Sequence, residues 1–417
     1  MVRHAQTRIA GTLAATVMFA AAATEVCAQD RPDVLNEQLQ LGDVISGQVL
    51  NVEGVREEVS VTNSALGNSI SGSTEGVPAY VVSRQSMQGN ARATTELGLT
   101  GTTGGYVHST TQAGGNYLAA GATGARLDIE ASQTTGTGEI IANTAIRGGE
   151  ARLLQGGFVG ASASANTTIL GGEGASINGS VDQDSAATVR AGNLAQTRYV
   201  PARAVFSSQA VANTISVNTP TGSNQVLATR QRSTGDLVEA DTSANAGNGW
   251  DLTSQSHAAA NQAAFYNGGG SVVVSTDQDN QSRVRSRALT TSFDFGAAYA
   301  QASGAGNQVE AGNNDVYLEI DNSQVNSGGV DVEASFIGNG SGAGYDAFVT
   351  ATAVGNSVTG YACSTCAGQV AATNNQINTG NVSAIANTTI VSSGRAVITG
   401  SSATGNAASF YVTRPGQ

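Results

Sequence analysis

The sequence predicts an all-β chain wound into an elongated β-solenoid, a parallel β-helix with irregular loops. Three observations carry this expectation. Apolar and polar residues alternate in short runs; Val316, Leu318 and Ile320 share one face of segment 315–321 and charged residues take the other. Asn322-Ser-Gln-Val-Asn-Ser-Gly-Gly-Val330 is answered 52 residues on by Asn374-Asn-Gln-Ile-Asn-Thr-Gly-Asn-Val382. Glycine is abundant, with 53 residues, and proline scarce, with 5. Strict alternation marks half-buried strands, and self-similarity at a long period marks stacked repeat units. Few prolines suit a chain whose N–H groups all serve hydrogen-bonded ladders. A hydrophobic content of 40% argues against disorder despite the glycine.

Residues 1–28 read as a secretory signal peptide. Arg3 and Arg8 form a basic start, Ile9 to Ala23 an apolar core, and Val26-Cys27-Ala28 a small-residue cleavage site. The mature chain is therefore expected to be exported. No later stretch approaches the roughly 18 apolar residues of a membrane helix. Losing Arg3, Arg8 and Glu25 with the signal takes the net charge from −12 to near −13, and the chain contains no lysine. An acidic chain of this kind is unsuited to neutralising phosphates, so nucleic acid is excluded as a partner.

Residues 29–60, with Leu41 to Val44 and Val49 to Val52 as their apolar parts, differ from the repeats after them. They are expected to be a cap over the first open β edge or an export segment read by a secretion channel. Residues 61–417 form the solenoid repeat domain. Leu127, Ile129 and Ala131 alternate there with Arg126, Asp128 and Glu130, and Phe293 and Phe295 bracket Asp294. A shorter signature, Ala-x-Gly-Asn-x-Val/Ile, is clearest at Ala65–Ile70 and Ala353–Val358. Looser copies occur at Ala305 and Ala403, and Ala-Asn-Thr appears at Ala165, Ala212 and Ala386.

Asn356 and Asn375 lie 19 residues apart, as do Asn387 and Asn406. This spacing predicts coils of roughly 19 residues, about twenty of them, in a rod on the order of 100 Å. Gly67, Gly355 and Gly405 are expected at corners, because glycine takes positive φ freely and the following asparagine tolerates it. Asn68, Asn307, Asn356, Asn375 and Asn406 are then expected to form amide ladders between coils. The repeats blur over 73–124 and 201–261, where Pro78, Pro201 and Pro220 predict side loops or a change of stacking.

Chemistry is sparse, and no catalytic, cofactor-binding or metal-binding residue is predicted. Cys363 and Cys366 are expected to close a loop as a short disulfide, since a redox pair would need a helix N-terminus that this glycine-rich context lacks. His108 and His257 each stand alone among Ser, Thr and Ala. Asp277 and Asp279 lack the nine-residue pattern of a calcium roll, and Gly268-Gly-Gly270 lacks the Lys-Ser/Thr of a phosphate loop. Tyr106, Tyr117, Trp250, Tyr266, Tyr345 and Tyr361 are candidate polysaccharide contacts on an outer face; packing within loops is the other reading of each.

Asn36-Glu-Gln-Leu-Gln-Leu-Gly-Asp-Val-Ile-Ser-Gly47, the Gly-Asn-Ser corners, and Tyr361-Ala-Cys-Ser-Thr-Cys366 ahead of Asn374-Asn-Gln-Ile-Asn378 resemble the holdfast anchor (attachment) protein D family of stalked alphaproteobacteria. The resemblance runs over most of the mature chain. It implies a cell-surface, outer-membrane-associated protein that tethers the adhesive holdfast polysaccharide. It also implies a curlin-like anchor partner and a curli-type lipoprotein secretion channel. A stiff solenoid suits a tether, because load spreads over many hydrogen bonds, and a homo-multimer is expected. The alternative, a secreted β-helix polysaccharide lyase or hydrolase, rests on fold analogy; the absence of lysine and scarcity of histidine weigh against it. The ending Thr413-Arg-Pro-Gly-Gln417 lacks the aromatic terminus of a self-exporting barrel, so export is expected to need a separate channel.

Overall fold

The structure, a computed structural model, describes residues 33–412 apart from 316, 339, 341–343 and 364–367. No helix occurs among the described residues, and every strand pairing is parallel. The expected signal peptide and Cys366 lie outside the described residues.

Eight coils stack on one another. Each contributes one strand to a first wall: Asp33–Gln40, Ala79–Met87, Leu127–Thr135, Ile177–Ser185, Gln225–Ser233, Ser271–Asn280, Tyr317–Asn326 and Gln369–Asn378. A second, fifteen-stranded sheet turns a corner to make the other two walls. In the first two coils these are separate strands, Val44–Val52 with Val59–Glu75 and Ala91–Leu99 with Val107–Thr123. In the fourth, fifth and sixth coils one strand runs through both, Thr188–Thr221, Leu237–Asn267 and Arg283–Asn313, while the third, seventh and eighth again use separate strands.

The all-β solenoid stands, but the coil length differs from 19. Gln38, Gln85, Gln133, Gln183, Gln231, Gln278, Gln324 and Gln376 face one another in successive coils, so a coil spans 46 to 52 residues. The repeat of Asn322–Val330 in Asn374–Val382 is therefore one turn of the solenoid. The 19-residue spacing joins walls, not coils: the strand carrying Asn356 faces the one carrying Asn375, and Asn356 Nδ2 donates to Ile377 O at 2.9 Å. Eight coils at about 4.8 Å make a column about 38 Å tall, well short of 100 Å.

The stretches 73–124 and 201–261 are regular, not looped out. Their strands continue in register with neighbouring coils. Pro201 sits at the register shift between Val200 and Arg203, where the second wall passes into the third, a bulge that needs no ladder N–H. The described part of segment 29–60 is the first coil, since Asp33–Gln40 and Val44–Val52 pair parallel with Ala79–Met87 and Ala91–Leu99.

Small side chains let the walls close. Ala93, Ala142, Ala191 and Ala240 line the second wall and Ala113, Ala163, Ala210 and Ala258 the third, within one cluster. Where Val330 and Val332 enlarge the second wall, the third carries Gly304, whose added Cβ would lie 2.8 Å from Val332 Cγ2. Leu127, Ile129, Ile177, Leu118, Leu170 and Phe265 fill the space behind the first wall. A buried Leu or Ile is worth about 1.5–3 kcal/mol and alanine far less. An alanine-rich interior therefore leans more on its hydrogen bonds.

Two amide rows supply many of these. Asn68, Asn116, Asn166, Asn213, Asn261, Asn307, Asn356 and Asn406 form an unbroken ladder on the third wall, each Nδ2 donating to the next Oδ1 at 2.8 Å. The eight glutamines form a second ladder on the first wall, donating the opposite way, each to the glutamine of the preceding coil at 2.7–2.9 Å. The second amide hydrogen crosses the interior. Asn261 reaches Asp279 O at 3.0 Å, and Gln278 reaches Gln308 O at 3.0 Å. Each ladder thus staples the first wall to the third. Asn375 is exposed and stands outside both rows, because the alternation turns Gln376 inward and its neighbour out.

The residue before each ladder asparagine is Gly67, Gly115, Ala165, Ala212, Ala260, Gly306, Gly355 or Gly405. The inward–outward alternation changes phase at this pair, which bends the strand. The expected reason, positive φ, does not apply: none of these glycines is among the left-handed ones. Crowding selects them. A Cβ on Gly306 would stand 2.5 Å from Gly355 O and 2.7 Å from Asn326 Oδ1. Four left-handed glycines, Gly76, Gly124, Gly174 and Gly270, serve instead in turns from the third wall to the first.

Candidate functional site

On the outer surface of the third wall, register gathers aromatic side chains that lie far apart in sequence. Trp250, Gly296 and Tyr345 occupy successive coils, bracketed by the pairs Asp251↔Ala297 and Ala297↔Asp346. Gly296 leaves room for the indole: its Cβ would fall 2.8 Å from Trp250 Cδ2. Trp250 and Tyr345 meet edge to face with centroids 5.9 Å apart. The Arg395 guanidinium lies 5.2 Å above the Tyr345 ring and 3.6 Å from Asp346. Trp250 is 60% exposed, against the usual tendency of tryptophan to be buried.

A groove of about 400 Å³ opens beside this group, lined by Tyr199, Pro201, Asn248, Trp250, Asp294 and Tyr345. A smaller one of about 280 Å³ holds Asp251, Asp346 and Arg395. One coil-face further on, Tyr299 and Phe348 stack at 5.0 Å with planes 9° apart.

A second aromatic pair repeats the arrangement nearer the first wall. Tyr266 pairs with Gly312 and Gly312 with Tyr361, so two phenols stand about 9.6 Å apart with a glycine between them. The surrounding groove, about 530 Å³, adds Asn218, Pro220, Glu310 and Thr359. Asn314 Nδ2 donates to Tyr266 Oη at 3.2 Å. Flat apolar faces with amide, carboxylate and hydroxyl groups at their rims suit a ring that is apolar above and below and polar at its edge.

Of the six aromatic residues singled out by sequence, four fall into these grooves. Tyr106 lies between strands, and Tyr117 faces out between its register partners Ser69 and Thr167, neither of them aromatic. Tyr199, Pro201, Arg395 and the spacer glycines Gly296 and Gly312 were missed. Their signal was the coil period itself, which carries Tyr345 to Arg395 in 50 residues.

The titratable residues show other duties. His257 is held by Ser303 Oγ at 2.9 Å and Gln262 at 2.7 Å, and burial pushes its pKa down from the ordinary 6.5. His108 stacks on Phe158 at 5.8 Å. Asp279 lies 3.7 Å from Arg232, and Asp277 faces solvent. Glu239 on the second wall holds Arg285 at 2.7 Å, Arg287 at 3.1 Å and Arg190 at 3.6 Å. Burial raises the pKa of neighbouring Asp241, and Arg287 opposes the shift. Cys363 is buried and disulfide-bonded.

The family pattern of holdfast attachment protein D matches residues 53–329, about two thirds of the chain. The chain belongs to this family. The match runs from the end of the first coil's second wall to the start of the second wall of the seventh, taking in Trp250, Tyr266, Gly296 and Gly312. No curated protein and no solved structure matches the chain significantly. Membership gives the chain a part in holdfast attachment, a role at the cell surface. Among the described residues, no helix is long and apolar enough to cross a membrane.

Proposed function

We propose that this chain is a non-catalytic anchor that holds the holdfast polysaccharide to the outer envelope through the aromatic grooves of its third wall. The observation that carries the reading is the repeated aromatic–glycine–aromatic arrangement on the outer face of one wall. Trp250 and Tyr345 offer stacking faces, with Asp251, Asp346 and Arg395 to fix a sugar's hydroxyls; Tyr266 and Tyr361 offer a slot one ring wide. Hydrogen-bonded coils and two amide ladders suit a part that must resist pulling. In this reading the chain is exported through a curli-type lipoprotein channel, works beside a curlin-like partner, and assembles with copies of itself. Cys363 pairs with Cys366.

The test is retention of purified holdfast polysaccharide by the mature protein. Losing about 1.4 kcal/mol of stacking is a tenfold loss of affinity. Trp250→Ala combined with Tyr345→Ala should therefore weaken retention about tenfold or more while circular dichroism stays unchanged. Undiminished retention by that variant and by Tyr266→Ala with Tyr361→Ala would remove the grooves from the function. New reducing ends or unsaturated products during incubation would replace the anchor with an enzyme.

A further inference from the structure

The ends of the column differ from its walls. Among the described residues, Asp33–Gln40, Val44–Val52 and Val59–Glu75 are paired along one edge only, as are Gln369–Asn378, Val382–Ile390 and Val397–Val412. Of the twenty-five exposed large apolar side chains among the described residues, seven belong to the first coil and eight to the last. Open strand edges with apolar neighbours invite pairing with another chain.

The amide ladders specify which chain, and which way round. In the last coil Asn406 meets no further asparagine; its amide turns to Gln376 O at 3.4 Å. Gln376 Oε1 there receives no donor among the described residues. In the first coil Asn68 Oδ1 likewise receives none, and Gln38 donates only to Ser69 O. One end therefore offers an asparagine donor and a glutamine acceptor, and the other an asparagine acceptor and a glutamine donor. Joining two like ends with each wall on its own counterpart would set donor against donor in one row and acceptor against acceptor in the other.

We infer that the last coil of one copy docks on the first coil of the next, head to tail, carrying both ladders and all three walls across the joint. Asn406 then donates to Asn68 of the next copy, and Gln38 of that copy donates to Gln376. Continuing the column's register sets Ile385 over Gly47 and Phe410 over Gly72. Both glycines have open space where a Cβ would point. Such a contact does not close on itself, so it generates linear assemblies. The inference rests on the self-assembly part of the proposed function and gives it a surface and a polarity; it does not depend on the glycan.

The experiment uses the mature full chain in analytical ultracentrifugation over a concentration series, with electron microscopy. The unsubstituted protein should form linear oligomers with an axial repeat of about 38 Å, from coils of about 4.8 Å. Ile385→Lys with Gly47→Lys places like charges opposite each other across the joint, and the oligomers should be lost. Ile385→Lys with Gly47→Glu should restore them. Circular dichroism should show each variant folded. A protein monomeric at every concentration, a Lys/Lys variant that assembles as before, or a Lys/Glu variant that stays dispersed would each overturn the joint. Glycan retention by the dispersed Lys/Lys variant, measured in parallel, separates failure of the joint from failure of the anchor.

Discussion

Asn261→Leu removes one rung from the middle of the asparagine ladder while keeping the same branched side-chain skeleton. Asn261 is fully buried, accepts from Asn213 at 2.8 Å, and donates to Asn307 at 2.8 Å and to Asp279 O at 3.0 Å. The substitution leaves one amide hydrogen and two acceptor oxygens without partners. A buried polar group left unsatisfied costs roughly 1–3 kcal/mol. Asn213 keeps its bond to Arg232 O at 2.8 Å, which moderates its share. The expected loss is therefore about 3–5 kcal/mol. Asn406→Leu is the internal comparison: that residue is exposed, accepts from Asn356, and donates over 3.4 Å, so about 1 kcal/mol or less should be lost. Urea unfolding of the mature chain reads the difference in midpoint. Hydrogen exchange should show protection lost in the coils around 261. Equal destabilisation by the two substitutions would mean that the ladder is incidental to stability.

Packing and charge lead to three more expected outcomes. Gly306→Val should cost about 2 kcal/mol or more, because its side chain would press on Gly355 O and Asn326, whereas Ala212→Gly in the same column should cost about 1 kcal/mol; thermal melts compare them. His257 titrates below its ordinary 6.5 in the folded chain, so the unfolded chain binds its proton first. Its contribution is present above about pH 6.5 and is lost as pH falls through the folded value; His257→Gln should flatten the acid side of the stability profile. Glu239→Gln leaves Arg190, Arg285 and Arg287 with Asp241 as their nearby carboxylate and should cost about 1–2 kcal/mol, less in high salt, by denaturant titration.

Much of the fold was legible because alternation reports directly on which side chains face inward. Leu318 and Ile320, against Glu319 and Asp321, lie in a strand with one buried side; Val316 lies outside the described residues. The repeat of Asn322–Val330 held the coil length, yet the shorter spacing from Asn356 to Asn375 suggested a smaller winding. That spacing measures the path between two facing walls, and sequence distance alone does not distinguish a crossing from a return. The glutamine ladder escaped because its members recur at 46 to 52 residues with different neighbours, so turns of unequal length hide the period. The same uncertainty misplaced Asn375 by one residue, enough to move a side chain from the interior to solvent. The grooves were beyond reach for a related reason: Trp250 and Tyr345 become neighbours only through two coil steps of known length.

The two amide rows run in opposite senses, asparagine donating toward the C-terminal end and glutamine toward the N-terminal end. Each row alone would sum its dipoles with every coil added, as an α-helix does, and leave partial charges of opposite sign at its two tips. Set antiparallel in one cross-section, the rows cancel. Additional windings therefore bring cohesion without an accumulating dipole along the column.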